Sequence, residues 1–126
     1  MGAVVVAVSL ATCFTSTALD TTLQATACSN NTYDPSMIEY AQSVEYVLDD
    51  METVTANHPG YHYQTRAPYP TVVAYGHSWC NLTLTVMECV TCMSSARAFI
   101  KTRCPNKVVA AMILKDCAMG YSPFSL

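Results

Sequence analysis

Glycine is scarce in this sequence, four residues in 126 with no two clustered. A backbone cradle for phosphate needs clustered glycines, so a phosphate-loop nucleotide site is excluded. Neither Gly-x-Ser-x-Gly nor His-Glu-x-x-His occurs, which removes the serine-hydrolase elbow and the helical zinc-protease motif. Charge is thin as well: six Lys and Arg against nine Asp and Glu leave a net charge of -3. Counterion-releasing nucleic-acid binders and peptides that attack anionic membranes need a basic surface, so neither partner is expected. Beyond the N-terminal stretch no apolar run is long enough to span a bilayer, and Tyr121 to Leu126 carries no anchor or retrieval signal.

What is present begins with an uncharged apolar run, Ala3 to Phe14, of signal-peptide length and too short to cross a membrane. Its n-region is atypical, since Met1-Gly2 supplies no Lys or Arg. Small-x-small sites follow at Ser16-Thr17-Ala18 and Ala25-Thr26-Ala27. Cleavage after Ala18 is preferred, because it leaves Leu19 to Ala27 as an edge strand. Residues 1–18 are therefore expected to be a leader and 19–126 a single secreted domain.

Removing the leader removes Cys13, and seven cysteines become six: Cys28, Cys80, Cys89, Cys92, Cys104 and Cys117. Three fall in one short stretch, spaced Cys-x8-Cys-x2-Cys. A Cys-x2-Cys pair serves zinc, redox chemistry or a disulfide scaffold. Zinc with secreted thiols is uncommon, and a thioredoxin-like motif needs a βαβ setting that the antiparallel pattern lacks. An even count in a small secreted domain reads as disulfides, with no metal and no cofactor. Counting alone leaves about 15 pairings open.

Along the chain, Ser29 to Thr32 is a loop with a sequon at Asn30, and a second sequon at Asn81 follows the hairpin described next. Asp34 and Pro35 are expected to open a helix whose core face is Met37, Ala41, Val44, Leu48 and Met51, with Gln42, Glu45, Asp49 and Glu52 opposite. Tyr61–Arg66 and Thr71–Cys80 read as two strands of a hairpin turned by Ala67-Pro68-Tyr69-Pro70. A second helix, about Met87 to Arg103, aligns Cys89, Cys92, Ala96 and Phe99. Val108 to Ala118 reads as one final strand, apolar on both sides and so central.

His58, His62 and His77 are the only acid–base candidates near neutral pH, and Pro59-Gly60 prevents a helix from aligning the first two. No catalytic residue is assigned. Tyr61, Tyr63, Tyr69, Tyr75 and Trp79 cluster on the hairpin, where aromatics serve either the core or sugar and protein contacts.

Ala27-Cys28, Gly60-Tyr61-His62-Tyr63-Gln64-Thr65, Ala74-Tyr75-Gly76-His77-Ser78-Trp79-Cys80, the Cys-x8-Cys-x2-Cys, Cys104 and Lys115-Asp116-Cys117 together resemble the ginkbilobin-like, or stress-antifungal, domain of plant cysteine-rich repeat secretory proteins. The resemblance implies an α+β fold, two helices on an antiparallel sheet of about five strands. It also implies three disulfides: Cys28 with Cys104, Cys80 with Cys89, and Cys92 with Cys117. Single-domain members are secreted defence proteins, some of which bind mannose and inhibit fungi. Their sugar-holding Asn, Arg and Glu correspond to Ser29, Ala111 and Ser122 here, so the charge-assisted contacts are missing. A glycan on Asn30 would sit beside the same position.

The expectation is a non-enzymatic, disulfide-stabilised protein of the plant apoplast, linked to defence or stress, without the family's mannose contacts. Its partners would be cell-wall or fungal carbohydrate. The alternative is a protein-interaction module that binds a receptor ectodomain or another copy of the domain, through the hairpin aromatics or a sheet edge.

Overall fold

The computed structural model describes residues 19–34 and 36–125. The expected leader, Cys13 and Pro35 lie outside them. Five antiparallel strands, β1 (Leu23–Cys28), β2 (His62–Arg66), β3 (Tyr75–Cys80), β4 (Ala110–Leu114) and β5 (Cys117–Ser122), form one sheet in the order β1-β4-β5-β3-β2. Two helices, α1 (Ile38–Val54) and α2 (Val86–Arg103), cover one face. The α+β class and the strand count agree with the expectation, as does the edge position of β1.

Helix α1 starts later than its sequence suggests. The Asp34 carboxylate accepts from the Ser36 N–H at 2.9 Å, closing a turn rather than capping the helix, and helical structure begins at Ile38. The core stripe shifts with it. Met37 is 49% exposed and Ala41 half-buried, whereas Tyr40, Val44, Val47, Leu48 and Met51 are buried. Glu45 and Glu52 reach across to Arg97 of α2 at 2.8 and 2.7 Å, so the polar side of α1 joins the two helices.

Helix α2 is opened by a capping box. Thr85 Oγ1 accepts from the Glu88 N–H at 3.2 Å, and Glu88 Oε1 accepts from the Thr85 N–H at 2.7 Å. The helix buries Cys89, Cys92, Met93, Ala96 and Ile100, with Phe99 only partly covered.

Two strand expectations need correction. Thr71 to Ala74 is not strand: Val72 has a φ of 53°, and the Ala74 N–H donates to the Ser43 hydroxyl at 2.6 Å instead of to a neighbouring strand. The expected single strand Val108 to Ala118 is in fact β4 and most of a tight hairpin into β5. Lys115-Asp116 turns the chain without Gly, Pro or Asn, the usual markers of such a turn. Tertiary bonds hold it: Asp116 accepts from the Asp20 N–H at 2.8 Å and from Asn81 Nδ2 at 3.2 Å. β4 is interior in the sheet as expected, but only its Ala110, Met112 and Leu114 side is covered, and Ile113 is 44% exposed.

The three disulfides pair as the resemblance implies, Cys28–Cys104, Cys80–Cys89 and Cys92–Cys117. They close loops of 76, 9 and 25 residues. Chain-entropy bookkeeping gives about 2.5 to 4.5 kcal/mol each, rising with loop length. Cys92–Cys117 ties α2 to β5, and Cys28–Cys104 ties β1 to the end of α2.

Candidate functional site

Alternation along the strands sorts their side chains between two faces. Towards the helices point Tyr63 and Thr65, Gly76, Ser78 and Cys80, Met112 and Leu114, and Met119 and Tyr121. Polar groups on this side are paired. Ser78 Oγ lies 2.7 Å from Thr55 Oγ1, which also donates to the Met51 carbonyl at 2.6 Å. The hydroxyls of Tyr63 and Thr65 both donate to Asp50 Oδ2 at 2.6 Å. Burial, and then that carboxylate, raise the Tyr63 phenol above its ordinary range. Tyr40 and Tyr121 donate to the Val108 and Lys107 carbonyls at 2.7 and 2.6 Å, and burial pushes both phenols up.

The opposite face is open among the described residues, and it divides into two regions. One is a floor of small side chains. The register sets Ala27 beside Ala111 and Ala111 beside Gly120, with Ala25, Ile113 and Ala118 one step along. A Cβ built on Gly120 would come within 3.0 Å of the Ala111 Cβ, so the floor is closely packed. The other region is a ridge on the hairpin, where Trp79 lies opposite His62, His77 opposite Gln64, and Tyr75 opposite Arg66. The His62 and His77 rings are 6.3 Å apart, and the Arg66 guanidinium stands 5.7 Å over the Tyr75 ring. No outward strand position on either region carries Asp or Glu.

The structure brings the three expected sugar positions to one end of this open face, but none of the three carries a charge to hold a sugar hydroxyl. The Ser29 hydroxyl donates to the Asn31 carbonyl and accepts from the Val109 N–H, each at 3.1 Å. Ser122 Oγ donates to the Phe124 carbonyl and accepts from its N–H at 3.3 and 3.2 Å. Ala111 lies on the floor between Ala27 and Gly120. Both hydroxyls are therefore committed to backbone, and the third position is a methyl group.

Sequence proximity grouped five hairpin aromatics that the fold separates. The Tyr61 hydroxyl donates to the Leu84 carbonyl at 3.0 Å, Tyr63 reaches α1, and Tyr69 meets Tyr46 edge-on at 6.3 Å. Only Tyr75 and Trp79 of these face outward, in one set with His62, Gln64, Arg66 and His77. The period-two pattern His62-x-Gln64-x-Arg66 and Tyr75-x-His77-x-Trp79 carries that signal. His58 packs on Tyr63 instead, with ring centres 5.2 Å apart. Of the two sequons, Asn30 is exposed, whereas Asn81 is half-buried and donates to Asp116.

Among the described residues no helix is long and apolar enough to cross a membrane. A cavity of about 500 Å³ is an open groove between α1 and Tyr69, lined by Ile38, Ala41, Tyr46 and the acidic Glu45 and Asp49.

Comparison with known proteins agrees with this fold. Over 96 residues the chain is 30% identical to plasmodesmata-located protein 5 of Arabidopsis thaliana, covering 75% of this chain and 32% of that protein. The crystal structure of the tandem DUF26 ectodomain of the Arabidopsis thaliana cysteine-rich receptor-like protein PDLP5 superposes with a TM-score of 0.74 at 27% identity, covering 82% of this chain and 51% of that one. The tandem ectodomain of PDLP8 from the same plant gives 0.68 at 20% identity, covering 82% and 45%, a likeness of fold alone. The chain thus spans about a third of that curated relative and about half of each ectodomain. The model of the salt stress response/antifungal family matches residues 27–123, and the chain belongs to that family.

Proposed function

We propose that this domain is a secreted, non-enzymatic recognition module of plant stress or defence that no longer holds mannose at the family's position. Residues 1–18 act as the leader in this reading, and the mature domain works in the apoplast. The observation that carries it is the end of the open face at Ser29, Ala111 and Ser122. There both hydroxyls are spent on backbone bonds, and none of the three positions itself carries a guanidinium or carboxylate for a sugar. Charge-assisted hydrogen bonds are roughly twice as strong as neutral ones, so losing two of them removes most of what orients a hexose. Titrating the deglycosylated domain with mannobiose in a calorimeter tests the reading. No saturable heat is expected, and binding that disappears in Ser29→Ala or Ser122→Ala would overturn it.

A second reading, protein contact through a sheet edge, is favoured by β1. This strand, Leu23–Cys28, is an outer strand with neither a charged residue nor a proline, the devices that normally protect an edge from pairing with another chain. The PDLP5 ectodomain similar to this chain is a tandem of such domains. A second copy is accordingly the partner to test first. Sedimentation should then show reversible association that Thr26→Lys abolishes, and a monomer at all concentrations would remove this reading.

A further inference from the structure

We propose that the hairpin ridge of the open face, on β2 and β3, is a binding site for an acidic, uronate-bearing saccharide, distinct from the family's mannose position but bordering it where Tyr75 pairs with Ser122. Arg66 anchors the inference. It is exposed, it meets no carboxylate among the described residues, and its guanidinium is steadied above the Tyr75 ring. A guanidinium that contacts an aromatic ring without a hydrogen bond keeps its N–H fork free, and that fork matches a carboxylate in two parallel hydrogen bonds. An open hollow of about 450 Å³ lies at this point, lined by Gln64, Thr65, Arg66, Tyr75 and Ser125.

The neighbouring rows extend the site. Gln64 and His77 form the next cross-strand pair, followed by His62 and Trp79. Rows on one strand face repeat at roughly 6.8 Å, so the three rows run for roughly 14 Å, a length suited to an oligosaccharide rather than one ring. Trp79 and Tyr75 supply aromatic surface for the apolar side of sugar rings. Gln64 and the two imidazoles supply donors and acceptors for hydroxyls. Beside the ridge the side chains fall to Ala118 and Gly120, leaving a flat shelf along which a chain of rings can lie.

Electrostatics separates this ligand from other anions. The ridge holds no carboxylate that would repel a uronate, yet the chain as a whole carries -3. Long-range attraction therefore does not draw in nucleic acid or any polyanion indiscriminately, and close stacking has to supply the rest of the affinity.

The test is calorimetric titration of the folded domain with an oligogalacturonate, with its methyl ester, with mannan and with poly-glutamate, at one fixed salt concentration. Saturable binding of the oligogalacturonate is expected, weakened about tenfold or more by Arg66→Ala and by methyl esterification. His62→Gln with His77→Gln should weaken it several-fold. Arg66, His62 and His77 are exposed, so these variants keep their melting temperature and report on binding alone. Absence of saturable binding, or binding indifferent to Arg66→Ala, would overturn the proposal. So would poly-glutamate competing as well as the saccharide, which would make the ridge a site for acidic peptides.

Discussion

The two faces of the sheet are built from the same alternating strands and do opposite things. The inner face holds nearly all the large apolar side chains, every disulfide's attachment to the sheet, and polar groups whose partners are all internal. The outer face is half alanine and glycine and half a ridge of aromatic, imidazole, amide and guanidinium groups. One face is over-determined and the other uncommitted. The difference teaches that stability and recognition are separable in this domain, because a residue changed on one face barely touches the other.

The largest expected break comes from the inner side. Replacing both Cys92 and Cys117 by Ala frees α2 from β5 and should cost about 2 to 5 kcal/mol in urea unfolding. Ala111→Arg on the floor opposite should stay within about 0.5 kcal/mol of the parent. Met51→Ala, emptying a fully buried site under Gly76, should likewise cost about 2 to 5 kcal/mol. Ile113→Ala on the outer side should cost under about 1 kcal/mol, since that side chain is already 44% exposed. A large loss at Ile113 would mean that the outer face is covered in solution.

Smaller effects sharpen the same contrast. Thr55→Val leaves the Ser78 hydroxyl without its partner in the core, while the Met51 carbonyl keeps the backbone N–H of residue 55, a loss of about 1 to 3 kcal/mol by thermal unfolding. The weakest effect lies between the helices. The Ser94 hydroxyl and then Arg97 hold the Glu52 carboxyl below its ordinary range. Its folded-state value being depressed, Glu52 stabilises the fold above the unfolded carboxylate range, and that contribution fades as the pH falls through the folded value. Partial exposure limits it to at most about 1 kcal/mol. Glu52→Gln should flatten the acid limb of stability against pH by about that amount, with no effect on ligand binding at the sheet.

Much of the inner face was legible in the sequence. Cysteine parity pointed to a disulfide scaffold, and the four-and-three spacing located α1. The errors there came from tertiary contacts that leave no local mark. Ser43's hydroxyl takes the Ala74 N–H and keeps Thr71 to Ala74 out of the sheet, while Asn81 and the Asp20 backbone secure the Lys115-Asp116 turn. The start of α2, by contrast, is written locally, in the Thr85-x-x-Glu88 capping box. The outer face was harder to read. The family's positions told where a sugar site would lie, but that Ser29 and Ser122 spend their hydroxyls on backbone depends on pairings between distant segments. Likewise, the ridge exists only because register sets His62, Gln64 and Arg66 against Trp79, His77 and Tyr75.

The separation of the two faces is tested most directly by titrating the nitrogen-15-labelled domain with oligogalacturonate and, separately, with mannobiose while following every backbone amide by NMR. The expected result is saturable shifts centred on 62–66 and 75–79, extending to the neighbouring 118–122, with the acidic saccharide and none with mannobiose. Shifts at Ser29, Ala111 and Ser122 with mannobiose, or shifts centred on α1 and α2 with either ligand, would contradict it.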